Sequence, residues 1–215
     1  PQAITGPDEV CVGQSITLSD PDAGGAWTVS PAGRASITLG TGILTGGPGS
    51  GAVTVTYTLP TGCQAFYSVT VNPLPAAITP AVANVCVGFT INLSDVTAGG
   101  LWSSSNTGVA DVGSTTGVVL GNSGGTSTIT YQLTSTGCYV TRLVTVGTLP
   151  GAITGPNEVC VASSITLSDP ITVAGGNWTS QFPAIATVVN TSLLPPTAVG
   201  TVTGVSAGVT NITYS

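Results

Sequence analysis

Apolar residues along this chain alternate with Thr and Ser over short runs, and Gly or Pro interrupts each run before it grows long. Successive side chains of a strand point to opposite faces, so this alternation predicts half-buried strands. Residues 84–87 form an apolar run that ends at Gly88. Residues 90–94 then alternate, with Ile91 and Leu93 facing one way. A Gly99-Gly100 turn leads to Trp102, and the stretches 102–112, 115–121, 125–133 and 139–146 follow, divided by turn residues. That predicts about seven short strands in some 75 residues, the spacing of an antiparallel β-sandwich. No stretch has helical periodicity, and the 30 Gly and 15 Pro would interrupt one.

The pattern occurs three times. ITGPDEVCVG at 4–13 returns as ITPAVANVCVG at 78–88 and as ITGPNEVCVA at 153–162. Cys11, Cys86 and Cys160 stand 75 and 74 residues apart, and Cys63 and Cys138 stand 75 apart. Solenoid repeats run to roughly 20–50 residues and cannot stand alone; this period suffices for a small domain with its own core. The predicted domains are repeat 1 at 1–74, repeat 2 at 75–149 and repeat 3 at 150–215. The joints, VTVNPLPAAIT at 69–79 and VTVGTLPGAIT at 144–154, run from a strand into a short proline-marked connector, too stiff for a flexible coil. Neighbouring domains are expected to abut in a linear array. Repeat 3 stops at NITYS, and the matching parts of repeats 1 and 2 imply a further strand and a Thr-Gly-Cys shortly after Tyr214, which accounts for the odd count of five cysteines.

Charge changes the picture. Only 5% of residues are charged, both basic residues are arginines (Arg34 and Arg142), and the net charge is −6. Nucleic-acid binding needs Lys and Arg to neutralise phosphates, so it is excluded as a function, as is an anionic membrane surface. No run approaches the roughly 18 apolar residues of a spanning helix, so membrane insertion is not expected. Without His or Lys, and with no carboxylate pair recurring at fixed spacing, no catalytic constellation forms, and the chain is not expected to be an enzyme. The Gly-rich run 45–51 lacks the Lys and the helix of a phosphate loop.

The string LWSSSNTGVADVGSTTGVVLGNSGGTSTITY at 101–131 resembles the bacterial Ig-like domain, group 2 type, in which W-S-S-S/D is followed by V-A-x-V, G-x-V-x-G and G-T-x-x-I. Repeat 3 carries the same motifs at 177–188 and 201–214 with a seven-residue insertion between them, and repeat 1 is the most divergent. The added cysteines, in V-C-V-G and T-G-C, are similar to those of Ig-like repeats in giant Bacteroidota surface proteins, gliding adhesins among them. The resemblance implies an all-β fold of tandem Ig-like antiparallel β-sandwich domains in a linear array. It implies an extracellular, cell-surface location and a structural role in the shaft of a long adhesin filament. The expected partners are neighbouring repeats of the same chain, with surface glycans or other filaments as further candidates. A glycan- or matrix-binding module and a filament subunit completed by strand donation are the alternatives.

Within that frame, Trp27, Trp102 and Trp178 each follow a Gly-Gly-x turn and are expected in the core rather than on a sugar-binding platform. Tyr57, Tyr131 and Tyr214 share one strand position and are expected to pack. No cofactor or metal is implied. Asp20, Asp95 and Asp169 recur in L-S-D as candidates for calcium at the joints; a calcium site wants six to eight oxygens, and the thin carboxylate supply favours turn capping instead. Sequons at Asn92, Asn177, Asn190 and Asn211 arise readily in Thr-rich sequence, and no glycan is assigned.

The cysteines indicate an oxidising compartment. One pairing lies within a repeat, Cys11 with Cys63 and Cys86 with Cys138, each closing 52 residues. The strand order sets the members of each pair at opposite ends of a domain. The other pairing staples neighbours: Cys11 with Cys138, Cys86 with the cysteine expected after Tyr214, and Cys160 with a fourth repeat. A bond of the first kind is the simpler; a bond of the second would lock the array.

Overall fold

The computed structural model describes residues 1–148, 150–170 and 176–215. Leu149, the expected end of repeat 2, and Gly175, in the third Gly-Gly turn, lie outside them. Among the described residues every regular element is a strand. The chain divides into two compact units, Pro1–Gly147 and Thr148–Ser215.

The first unit holds two sandwiches of seven strands. In the first, β1 (Glu9–Cys11), β7 (Gln64–Asn72), β6 (Gly51–Thr58) and β3 (Ala26–Ser30) lie side by side in that order. The second sheet runs β2 (Ser15–Thr17), β5 (Ile43–Gly46), β4 (Ala35–Ile37). The next sandwich repeats the order: β8 (Asn84–Cys86), β14 (Tyr139–Gly147), β13 (Gly125–Leu133), β10 (Gly100–Ser104), against β9 (Thr90–Asn92), β12 (Val118–Gly121), β11 (Ala110–Val112). All pairings are antiparallel except those of the opening strands, β1 with β7 and β8 with β14, which are parallel. This is the antiparallel β-sandwich expected from the alternation, in the Ig-like form that the resemblance implied.

The alternation explains the cores. Along β13, Ser127, Ile129, Tyr131 and Leu133 face inward while the intervening residues face out. Each sandwich has its own cluster: Ile4, Trp27, Val55 and Val71 belong to the first, and Ile78, Trp102, Ile129 and Val146 to the second. Burying side chains of this size contributes about 1.5–3 kcal/mol each. Ser127 is the polar exception. Its hydroxyl accepts the Asn106 amide at 3.1 Å and bonds Ser104 Oγ at 2.9 Å, so its burial is compensated.

The second unit is built likewise, with fewer strands among the described residues. β15 (Ser164–Pro170), β18 (Thr197–Gly204) and β17 (Ala186–Leu194) form one sheet, and β16 (Trp178–Ser180) pairs with β19 (Ile212–Tyr214) in the other. The insertion predicted in repeat 3 appears as a long β17–β18 hairpin in place of a short one. Its cluster is smaller, with Leu167, Trp178, Ala186, Ala198, Val202 and Tyr214 buried.

Candidate functional site

The tryptophans mark no surface. Trp27, Trp102 and Trp178 are 5%, 7% and 3% exposed. Each ring packs on the tyrosine of the neighbouring strand, Tyr57, Tyr131 or Tyr214, at centroid distances of 4.6, 4.7 and 5.0 Å. Strand register brings each pair together: Trp27 stands opposite Tyr57, Trp102 opposite Tyr131 and Trp178 opposite Tyr214. Glycine clears the space. A Cβ on Gly100 would lie 2.5 Å from the Tyr131 ring, and one on Gly117, where φ is +71°, would meet both the Leu93 carbonyl and Trp102. The Tyr131 hydroxyl accepts the Gly100 amide at 3.0 Å and donates to the Thr97 carbonyl at 2.6 Å; Tyr57 repeats this with Gly25 and Asp22. Such an arrangement rigidifies a domain and offers no aromatic platform to a ligand.

Two of the L-S-D aspartates, Asp20 and Asp95, cap turns, while Asp169 lies in β15. Asp20 Oδ1 accepts the amide of Asp22 at 2.9 Å, and Asp95 Oδ1 accepts that of Thr97 at 2.7 Å, each folding the chain locally. Asp169 Oδ1 instead accepts the Gly151 amide at 3.0 Å. Among the described residues no group of three or more His, Cys, Asp or Glu gathers as a metal site would require. Asp8, Glu9, Asp20 and Asp22, the densest acidic run, form no such group. No helix among them is long and apolar enough to cross a membrane.

The feature that stands apart is covalent. Cys11 bonds Cys138, with Cα atoms 5.6 Å apart and a sequence separation of 127. The pairing of Cys11 with Cys63 and of Cys86 with Cys138 is therefore corrected. The physical reason lies in the register. Cys11 stands beside Asn72 at the far end of β7, while Cys63 precedes Gln64 at its near end. At about 3.3 Å per residue those ends are nearly 30 Å apart, against the roughly 7 Å that a disulfide spans between Cα atoms. Cys86, beside Gly147, and Cys138, just ahead of Tyr139, have the same separation. The parallel pairing of each opening strand with the last one thus sends the V-C-V cysteine to one end of its sandwich and the T-G-C cysteine to the other. A bond can form only to a neighbour.

Local structure fixes both ends. The turn after Cys11 is closed by the Gln14 amide donating to the Cys11 carbonyl at 3.0 Å, with Gly13 at φ +78°. The turn before Cys138 has Gly137 at φ +72°, and the Leu133 amide donates to the Cys138 carbonyl at 2.9 Å. Cys138 is fully buried, whereas its counterpart Cys63 is exposed and unbonded, as are Cys86 and Cys160.

No protein-family model matches the chain, and no curated protein matches it. Among solved structures it is similar to FdeC, an Escherichia coli adhesin, at 18% identity over 99% of this chain and 91% of that one, with a TM-score of 0.38. The surface layer protein SbsC, domains 1–6, is 18% identical over the whole chain, which spans 38% of its length, with a TM-score of 0.28. The N-terminal eight Ig domains of Down Syndrome Cell Adhesion Molecule are 15% identical over 96% of this chain and 38% of that one, with a TM-score of 0.35. At such TM-scores these likenesses add nothing to the fold read from the strand order.

Proposed function

We propose that this chain is a stretch of the load-bearing shaft of a long bacterial surface adhesin, with Ig-like domains at 1–74, 75–149 and 150–215 joined in series. The observation that carries the reading is the Cys11–Cys138 bond. Tension applied at the chain ends passes from Cys11 directly to Cys138 through the disulfide. Residues 12–137, which include nearly all of two hydrophobic cores, are bypassed and cannot be unravelled by pulling. A ligand-binding module has no use for that route. A filament that must hold its length does.

In this reading the remaining cysteines pair in the same way. Cys63 takes the V-C-V cysteine of a preceding repeat, and Cys86 and Cys160 take T-G-C cysteines of following ones. Partners are then the neighbouring repeats of the same chain. The disulfide supports an oxidising compartment, in keeping with a place at the cell surface. Two arginines and no lysine leave trypsin-like proteases little to cut. The FdeC and SbsC likenesses fit a surface location without carrying it.

Single-molecule pulling on the full chain tests this. Reduction should lengthen the fully extended chain by on the order of 400 Å, the reach of the 127-residue loop at about 3.4 Å per residue. Equal lengths with and without reductant would remove the basis for a load-bearing shaft.

A further inference from the structure

Each sandwich of the first unit turns the outer face of its four-stranded sheet to solvent, and that face is rich in threonine. On β3, β6 and β7 the residues between the core positions form cross-strand rows, Thr28–Thr56–Phe66 and Ser30–Thr54–Ser68. On β10, β13 and β14 the rows are Ser103–Thr130–Thr141 and Leu101–Gln132–Tyr139. These side chains are exposed or half-buried and alternate with core residues such as Val55 and Ile129. No outward residue of these six strands is charged. Arg142 belongs to the other side of β14, where it donates to the Ile78 and Ala81 carbonyls. Glu9, on the neighbouring β1, lies at one corner of the first face and accepts the Asn72 side-chain amide at 3.0 Å. The paired Thr179 and Thr213 continue the pattern on β16 and β19 of the second unit.

Two properties make such a face complementary to itself. The first is charge. The chain carries −6, so two copies that meet elsewhere bring like charges together, and two that meet on these faces do not. The second is the threonine side chain. It is stiff about χ1, so ordering it costs little entropy. It offers a methyl group for packing and a hydroxyl that both donates and accepts. Phe66 and Leu143, 65% and 58% exposed, stand among the hydroxyls as apolar anchors.

Area favours the same surface. At about 16 Å² of sheet per residue, each face covers roughly 350 Å², and the two together come near the roughly 800 Å² per partner of a standard interface. The opposing three-stranded sheets offer less than half of that, and the second carries Asp111 on its outer side. Both broad faces belong to one compact unit, so once the first contact forms the second does so at raised effective concentration. We infer that these faces receive a second copy of this chain, sheet on sheet, and that arrays of the protein associate side by side through them.

The test uses the 215-residue chain with C63S, C86S and C160S, so that no cross-link between chains imitates association. Sedimentation equilibrium should give a mass of 21.0 kDa in dilute solution. That mass should rise as the concentration approaches about 1 mM. Added sodium chloride should preserve or strengthen the association, because it screens like charges and no ion pair holds the contact. T56E with T130E sets like charges at the centre of each face and should raise the dissociation constant at least about tenfold. S36E with T90E adds the same charge at exposed positions of the opposing sheets and should associate as the parent does. A mass fixed at 21.0 kDa throughout, association that salt weakens, or equal behaviour of the two glutamate pairs would each overturn the inference. It does not depend on the shaft reading, since pulling reports on the Cys11–Cys138 bond and sedimentation on the sheet faces.

Discussion

Cys11 and Cys138 are 127 residues apart in the chain and 5.6 Å apart at Cα, joined by a disulfide between consecutive sandwiches of the first unit. A loop of that length is costly to close in the unfolded chain, and in the chain-entropy model the cross-link stabilises by roughly 5 kcal/mol. Urea unfolding of the first unit should therefore shift to lower concentration on reduction. C11S should show the same midpoint with or without reductant. A C11S midpoint equal to that of the oxidised parent would mean that the bond constrains nothing.

Three thiols should react and two should not. Cys63, Cys86 and Cys160 are exposed and unbonded, so an alkylating reagent should add three times to the native oxidised chain and five times after reduction and unfolding. A non-reducing peptide map then locates the bond. Trypsin is unsuited, because cleavage at Arg34 and Arg142 leaves Cys63, Cys86 and Cys138 in one fragment. Cleavage before aspartate parts Cys138 from Cys63 and Cys86, which stay together in the fragment beginning at Asp22; Cys160, which shares the fragment of Cys138, is told from it by prior alkylation of the exposed thiols. The fragment beginning at Asp8 should be found linked to the one beginning at Asp111, and linkage to the fragment that carries Cys63 would contradict the structure.

The strands, the antiparallel pairing and the three cores were legible because alternation at period two is a direct image of which side chains point inward. The Trp and Tyr positions could be read for the same reason: each follows a fixed distance from a turn glycine. The cysteine partner could not be read so directly. It depends on β1 pairing parallel with β7 rather than on any spacing along the chain, and parallel pairing leaves no local signature. Residues 84–87 show the reverse difficulty. An apolar run predicts a strand, yet the residues it pairs with lie 61 positions away in sequence, Val146 opposite Val85.

Tyr131→Phe should be costly although it keeps the ring. The hydroxyl joins the Gly100 amide to the Thr97 carbonyl, and both would be left without that partner. A loss of about 2 kcal/mol is expected for two hydrogen bonds at a part-buried site. Urea unfolding followed at Trp102, in a background with W27F and W178F, measures it. An unchanged slope with a lowered midpoint would assign the loss to the folded state. A midpoint unmoved by the change would show that the hydroxyl is replaceable by water.

Glycine gives the sharpest comparison because two positions in one sandwich make opposite predictions. At Gly25 a Cβ would stand 2.4 Å from Cζ of Tyr57, inside the ring contact that closes the core. Gly25→Ala must push the tyrosine off Trp27 or move β3, and overpacking of this kind costs about 3 kcal/mol. At Gly40 a Cβ meets nothing within 4 Å, and the backbone is not in the left-handed region. Gly40→Ala should be neutral or stabilise by about 0.5 kcal/mol, since alanine restricts the unfolded chain more than glycine does. Thermal unfolding of the two variants side by side, read at Trp27 with W102F and W178F, separates space from conformational freedom. If both alanines were tolerated equally, the glycine before each tryptophan would be there for the turn alone, and the Tyr57 ring would not need the room.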